Sequence, residues 1–239
     1  MAGPDYLKTF SPRQRWIRKQ LGYINLFLGS VIANIKVRGR WHLPEKGPYI
    51  VAANHFSYID PPFFKYAIRK PISFLGASDQ TIEWYFMWAP ILYGFIPIDR
   101  KNLAPSTIKK AKKALKNGEI VGIFPEGAST ATALRKAKNG AVFLSTMESV
   151  PIVPMAIYGA ETAWEDLFRG IRPRVKINIG KPFGPFEIKG SKKEKASQLE
   201  KIGHQLICRI GALLPENRHG VCKGEKTIVG YQSQNGFLP

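Results

Sequence analysis

From Tyr49 onward the apolar positions fall in short unbroken runs, separated by polar segments that carry Gly, Pro or Asp. The runs are "YIVAAN" (49–54), "PISFLG" (71–76), "GFIPID" (94–99), "EIVGIF" (119–124), "PIVPMAIYG" (151–159) and "RVKINIG" (174–180). Each has the length of a strand, and most are apolar enough to be buried on both faces. Helical spacing occupies the intervals at about 61–69, 81–91, 106–117 and 137–147. This alternation predicts an α/β fold with a mainly parallel central sheet covered by helices.

Two helices are well marked. Over 106–117, Ser106 or Thr107 can cap, Ile108, Ala111, Ala114 and Leu115 form an apolar stripe, and Gly118 suits the position past the end. Lys109, Lys110, Lys112, Lys113 and Lys116 then form its solvated face. Over 191–214, Ala196, Leu199, Ile202, Leu206, Ile210, Leu213 and Leu214 recur at helical spacing and should cover one sheet face. Residues 216–239 are polar, Gly-rich and without periodicity, which predicts an extension or flexible tail.

The start of the chain follows another pattern. "LGYINLFLGSVIANI" (21–35) is strongly apolar, but Asn25, Ser30 and Asn34 interrupt it, and it is shorter than the roughly 20 residues that span a bilayer. It is either a core helix or a helix lying in the headgroup layer, which Arg13, Arg15, Arg18 and Lys19 with Trp16 and Tyr23 would suit. The resulting division is an N-terminal helical segment (1–35), a catalytic domain (36–215) and the tail (216–239).

Charge narrows the partners without selecting one. Lys and Arg number 36 against 17 Asp and Glu, a net charge of +19, which attracts nucleic acid, anionic lipid or phosphorylated substrates. Cys208 and Cys222 stand in no metal-binding or disulfide-framework spacing, so a reducing compartment is expected. The N-terminus lacks the apolar core and cleavage site of a secretory signal.

Functional groups of open α/β sheets collect beyond the carboxyl ends of strands. Four clusters occupy such positions here: Asn54, His55, Ser57 and Asp60; Asp99 and Arg100; Glu126 and Gly127; and the run Pro154 to Tyr158. An imidazole with one nitrogen held by Asp60 has the other available to take a proton. Asp60 before Pro61 is equally a helix-start pattern, with the carboxylate as cap. Arg100 carries the paired donors that suit phosphate, and Gly127 beside Glu126 lets backbone approach a ligand.

Taken together, "NHFSYID", "GFIPIDR", "FPEGAST" and "VPIVPMAI" resemble, in order and spacing, four motifs of the glycerolipid acyltransferases. The type is lysophosphatidic acid acyltransferase, that is 1-acyl-glycerol-3-phosphate acyltransferase. The resemblance covers about residues 36–180. It implies a mixed α/β domain preceded by an amphipathic helical segment docked on the cytoplasmic face of a membrane, as a monotopic or peripheral protein. His55 is implied as general base and Asp60 as its orienting partner. Arg100, Glu126 and Gly127 are implied as contacts to the acceptor or its phosphate, and Asn54 and Ser57 as oxyanion or site-organising groups.

The implied reaction moves a fatty acyl group from acyl-CoA or acyl carrier protein to a lysophospholipid hydroxyl, with no cofactor, no metal and no nucleic-acid partner. One departure concerns the acceptor. Ala128, Ser129 and Thr130 stand where the family usually has Thr-Arg-Ser, so Lys138 or Arg135 would have to supply the missing charge. Another lysolipid or a glycolipid is the alternative acceptor. A non-catalytic basic protein binding membrane or nucleic acid is the alternative class.

Overall fold

The computed structural model describes residues 7–78, 87–99, 104–127 and 131–239. Seven strands form one sheet: β1 (Asn34–Arg38), β2 (Tyr49–Ala53), β3 (Ile72–Ala77), β4 (Ile96–Ile98), β5 (Ile120–Ile123), β6 (Ile152–Tyr158) and β7 (Arg174–Ile179). Their order is β1-β7-β6-β2-β5-β3-β4. β2 to β6 are mutually parallel, as expected of doubly buried apolar runs. At one edge β7 pairs antiparallel with β6, and β1 pairs parallel with β7. The sheet is therefore mixed and mainly parallel.

The helices are α1 (Arg15–Ile32), α2 (Asp60–Ile68), α3 (Trp88–Tyr93), α4 (Pro105–Lys116), α5 (Gly140–Glu148), α6 (Ala163–Phe168), α7 (Lys192–Gly211) and α8 (Thr227–Asn235). Phe63, Phe64, Ala67 and Ile68 of α2 pack on one sheet face with Tyr49, Val51, Met155 and Ile177. On the other face α4, α5, α7 and α8 bury Ala111, Leu115, Val142, Leu206, Ile210 and Ile228 against Ile50, Val121 and Ile152.

Several expectations are corrected. Residues 216–239 are folded onto the domain: two 3-10 turns (Glu216–Arg218 and Gly220–Cys222) lead into α8, and His219, Cys222 and Ile228 are buried. Elements this short carry too few apolar repeats to show a period. Cys208 of α7 and Cys222 are bonded, their Cα atoms 5.5 Å apart, because the chain folds back after α7. The expected boundary at 35 falls inside β1, which had no counterpart among the expected strands. Neither Ser106 nor Thr107 caps α4; Thr107 donates to the Pro97 carbonyl at 2.6 Å instead. The expected helix at 81–91 lies partly outside the described residues.

α1 is amphipathic in an inverted sense. Arg18, Gly22, Asn25 and Gly29 meet the domain, while Trp16, Tyr23, Ile24, Phe27, Leu28, Val31 and Ile32 face outward. The two glycines permit the close approach: a Cβ on Gly22 would fall 2.5 Å from Lys65 Nζ, and one on Gly29 would fall 2.8 Å from the Tyr66 ring. Arg18 anchors the helix. Its guanidinium donates to Ser73 Oγ and to Glu119 Oε2, both at 2.8 Å, so it serves the fold rather than a headgroup layer.

The reversed edge strands also decide what lies near what. Since β7 runs against β6, the connection between them sits at the carboxyl end of β6, beside that of β2. β1 starts opposite Arg174, so the end of α1 reaches that same rim.

Candidate active site

β2 ends at Ala53, and the next residues leave the sheet between β5 and β6. Asn54 is fully buried. Its amide donates to the Ile157 carbonyl and its oxygen accepts from the Ile157 N–H, both at 2.8 Å, so it fastens the end of β2 to β6. A side chain committed in this way organises the site and is not placed to meet an oxyanion.

His55 follows, its ring stacked on Phe124 with centroids 4.1 Å apart. Its Nδ1 lies 2.9 Å from Asp60 Oδ2. A carboxylate only accepts, so Nδ1 carries the proton and Nε2 is the basic nitrogen. The same Oδ2 accepts the Ser57 N–H at 2.8 Å, and it is through this backbone group that Ser57 enters the site. The helix begins at Asp60 itself, and no side chain caps it; the expected capping role is corrected, because this carboxylate is turned back onto residues 55 and 57.

Asp60 is almost completely buried, and its Oδ1 has no hydrogen-bond partner among the described residues. Burial pushes its carboxyl above the usual carboxylate range, and the charge of Glu161 adds to this; the bonds from His55 and Ser57 oppose it. The imidazole is the partner that holds this charge in place.

Glu126 makes the second brace. After β5 its Oε1 accepts the His55 N–H at 3.1 Å, and its Oε2 accepts the Arg135 N–H at 2.9 Å. Burial raises this carboxyl too, against those two N–H bonds. Glu126 therefore ties the backbone of His55 to the 131–135 segment. Gly127 has φ +69°, and a Cβ there would lie 2.9 Å from Lys138 Cε, so the Lys138 stem crosses the end of β5. Arg100 and Ala128 to Thr130 lie outside the described residues.

Three neighbours had not been expected. Phe124 supplies the face on which His55 stacks. Glu161, just past β6, accepts from the Gly159 N–H at 2.6 Å and pairs with Arg218 at 3.3 Å. Arg218 comes from the folded C-terminal segment; it donates to the Thr132 carbonyl at 2.7 Å and sits 5.7 Å from the centre of the Phe56 ring. Glu161 was findable by the strand-end rule. Arg218 was not, since only the tertiary fold brings it here.

A surface depression of about 480 Å³ between Lys136, Ala137 and the Ser197, Glu200 and Lys201 face of α7 contains none of these groups. The chemistry, not the concavity, marks the site. His204, on the same helix, lies exposed 3.2 Å from Glu225 and 3.6 Å from Cys208 Sγ.

A model of the Acyltransferase family matches residues 34–158, which takes in β1 to β6 with His55, Asp60 and Glu126. The chain belongs to this acyltransferase family. A 1-acyl-sn-glycerol-3-phosphate acyltransferase of Bacillus subtilis is 30% identical over 181 residues, covering 74% of this chain and 88% of that one. One of Limnanthes douglasii is also 30% identical, over 73% of this chain and 62% of its own length. The fold matches the crystal structure of the 1-acyl-sn-glycerophosphate acyltransferase of Thermotoga maritima with a TM-score of 0.55 and 21% identity, over 81% of this chain and 82% of that one. The acyltransferase is thus an enzyme of the same class as these relatives. Among its described residues no helix is long and apolar enough to cross a membrane.

Proposed function

We propose that this acyltransferase moves a fatty acyl group from a thioester, acyl-CoA or acyl carrier protein, to the free hydroxyl of 1-acyl-glycerol-3-phosphate at a membrane surface. The observation that carries the reading is the 2.9 Å contact between His55 Nδ1 and the buried Asp60 carboxylate at the end of a central strand. The curated relatives' names supply the acceptor.

His55 Nε2 takes the hydroxyl proton as the acceptor oxygen attacks the thioester carbonyl. The C–S bond then breaks, and the leaving thiolate takes the proton from the imidazolium. Asp60 stabilises the imidazolium between these steps and fixes the tautomer. No acyl-enzyme, cofactor or metal is needed. Arg100 and Lys138 hold the acceptor phosphate, and Glu126 holds the backbone on which His55 rides. A backbone N–H is the donor to the oxyanion, since Asn54 is committed to Ile157.

The membrane part of the reading rests on α1. Its apolar face is turned away from the domain, with Phe27 69% exposed, and Arg15 and Lys19 are exposed near its start. Such a helix fits the headgroup layer of an anionic bilayer. The test uses purified protein, lysophosphatidic acid, either thioester and detection of released thiol. His55→Ala should remove turnover while the folded circular-dichroism spectrum persists. Turnover retained in that variant would overturn the mechanism. Turnover by the wild type only with a phosphate-free acceptor would overturn the proposed acceptor.

A further inference from the structure

The connection between β6 and β7, residues 160–173, exposes three large apolar side chains in a short stretch: Trp164 at 51%, Phe168 at 82% and Ile171 at 55%. Trp164 and Phe168 pack edge to face, with ring centroids 5.8 Å apart. The underside is secured by buried Ala163 and Pro173. Scattered single apolar residues are ordinary on a protein surface, whereas a contiguous group calls for an occupant.

Two observations indicate which occupant. First, the group continues the outward face of α1. Arg172 Nη2 donates to the carbonyls of Ser30 at 2.8 Å and Ala33 at 3.2 Å, and Asn34 N–H donates to the Pro173 carbonyl at 2.8 Å. The connection is thereby locked to the end of α1 where Phe27, Leu28, Val31 and Ile32 are exposed. Second, the surround is cationic. Arg169 and Arg174 are exposed beside the group, and Lys36 and Lys176 face each other on adjacent strands. On the acidic side, Asp166 is engaged by Thr162 and Glu161 is turned inward onto Gly159 and Arg218, leaving Glu165 as the exposed carboxylate of α6. Aromatic side chains ringed by arginine and lysine match the interface of an anionic bilayer.

We propose that residues 160–173 form a second bilayer-inserting element, at the rim of the site. The proposal rests on the membrane reading of α1 given above. It adds that the enzyme is held at two points, with the end of α1 on one side of the rim and the Trp164, Phe168 and Ile171 group beside the carboxyl end of β6. Two points fix a tilt that one helix does not, and they bring the end of β2, with His55, down to the headgroup layer where a lysolipid hydroxyl lies.

The experiment uses the full chain and vesicles of phosphatidylcholine with phosphatidylglycerol. In one protein Trp16, Trp41, Trp84 and Trp88 are changed to Phe, leaving Trp164; in a second, Trp16 is the one retained. Lipids brominated along the acyl chain should quench both. Phe168→Asp, at a position so exposed that folding is unaffected, should weaken vesicle co-sedimentation about tenfold. It should leave turnover of a soluble short-chain acceptor unchanged. Quenching of Trp16 without Trp164 would overturn the second element and leave the α1 reading standing. Absence of vesicle binding by either protein would overturn both. If Phe168→Asp alters sedimentation of the free protein but not vesicle binding, the group contacts a second copy and the proposal fails.

Discussion

At Asp60, stability and function oppose each other. The carboxylate is buried, raised by that burial, and has one oxygen without a hydrogen bond among the described residues, so the fold gains little from its charge. Asp60→Asn should therefore leave the melting temperature level or higher. It should also lower kcat by about 10²- to 10⁴-fold, because nothing then compensates the imidazolium; melting curves and thiol release report the two separately. The spacing of His55 and Asp60 was legible in the sequence, as were the strand-end positions of Glu126 and Gly127. That Glu126 works through two backbone N–H groups was not legible, because a sequence does not show which loops its carboxylate will meet. Likewise Arg218 comes from a segment with no visible period.

At the scale of elements, α1 is held to the domain by its polar face, which removes the core placement, one of the two that its sequence allowed. The apolar stretch at 21–35 allowed either a core helix or one in the headgroup layer, and an apolar side ordinarily faces the core. Here Arg18, Gly22, Asn25 and Gly29 face it instead. Removing one partner of a buried ion pair strands the other, so Arg18→Ala should cost roughly 3 kcal/mol in chemical denaturation, because Glu119 loses the guanidinium that holds its charge. That carboxyl is pushed up by burial, but Ser73 and Arg18 outweigh the effect and hold it below its ordinary value.

Lys65, under Gly22, gives a pH signature. Burial, with Arg18 adding to it, pushes the Lys65 ammonium down to about 8 from an ordinary 10.5. Below pH 8 it is charged folded and unfolded alike, and the cost of burial is present in full. Between the two values the unfolded chain binds the extra proton, so this residue's contribution to stability rises with pH. Lys65→Met should melt higher than the wild type at pH 7, and the gap should narrow by pH 10. The central strands were legible because they are apolar on both faces; β1 was not, since an edge strand of five residues has only Ile35 and Val37 turned inward.

For the whole molecule, the decisive feature is the reversal at one sheet edge. A fully parallel sheet would have returned the chain to the opposite rim after β6. Because β7 runs backward and β1 runs with it, the end of α1, residues 160–173 and His55 share one rim of the sheet. Composition indicated an attraction to anions, but the placement of the apolar groups around a common rim is a property of topology. With α1 seated as proposed, its outward stripe changes the kinetics of substrate search. Acceptor and enzyme then meet by diffusion in two dimensions, so turnover should follow the mole fraction of lysolipid in the surface. Diluting that surface with inert lipid at constant bulk concentration should slow the enzyme, whereas adding water should not.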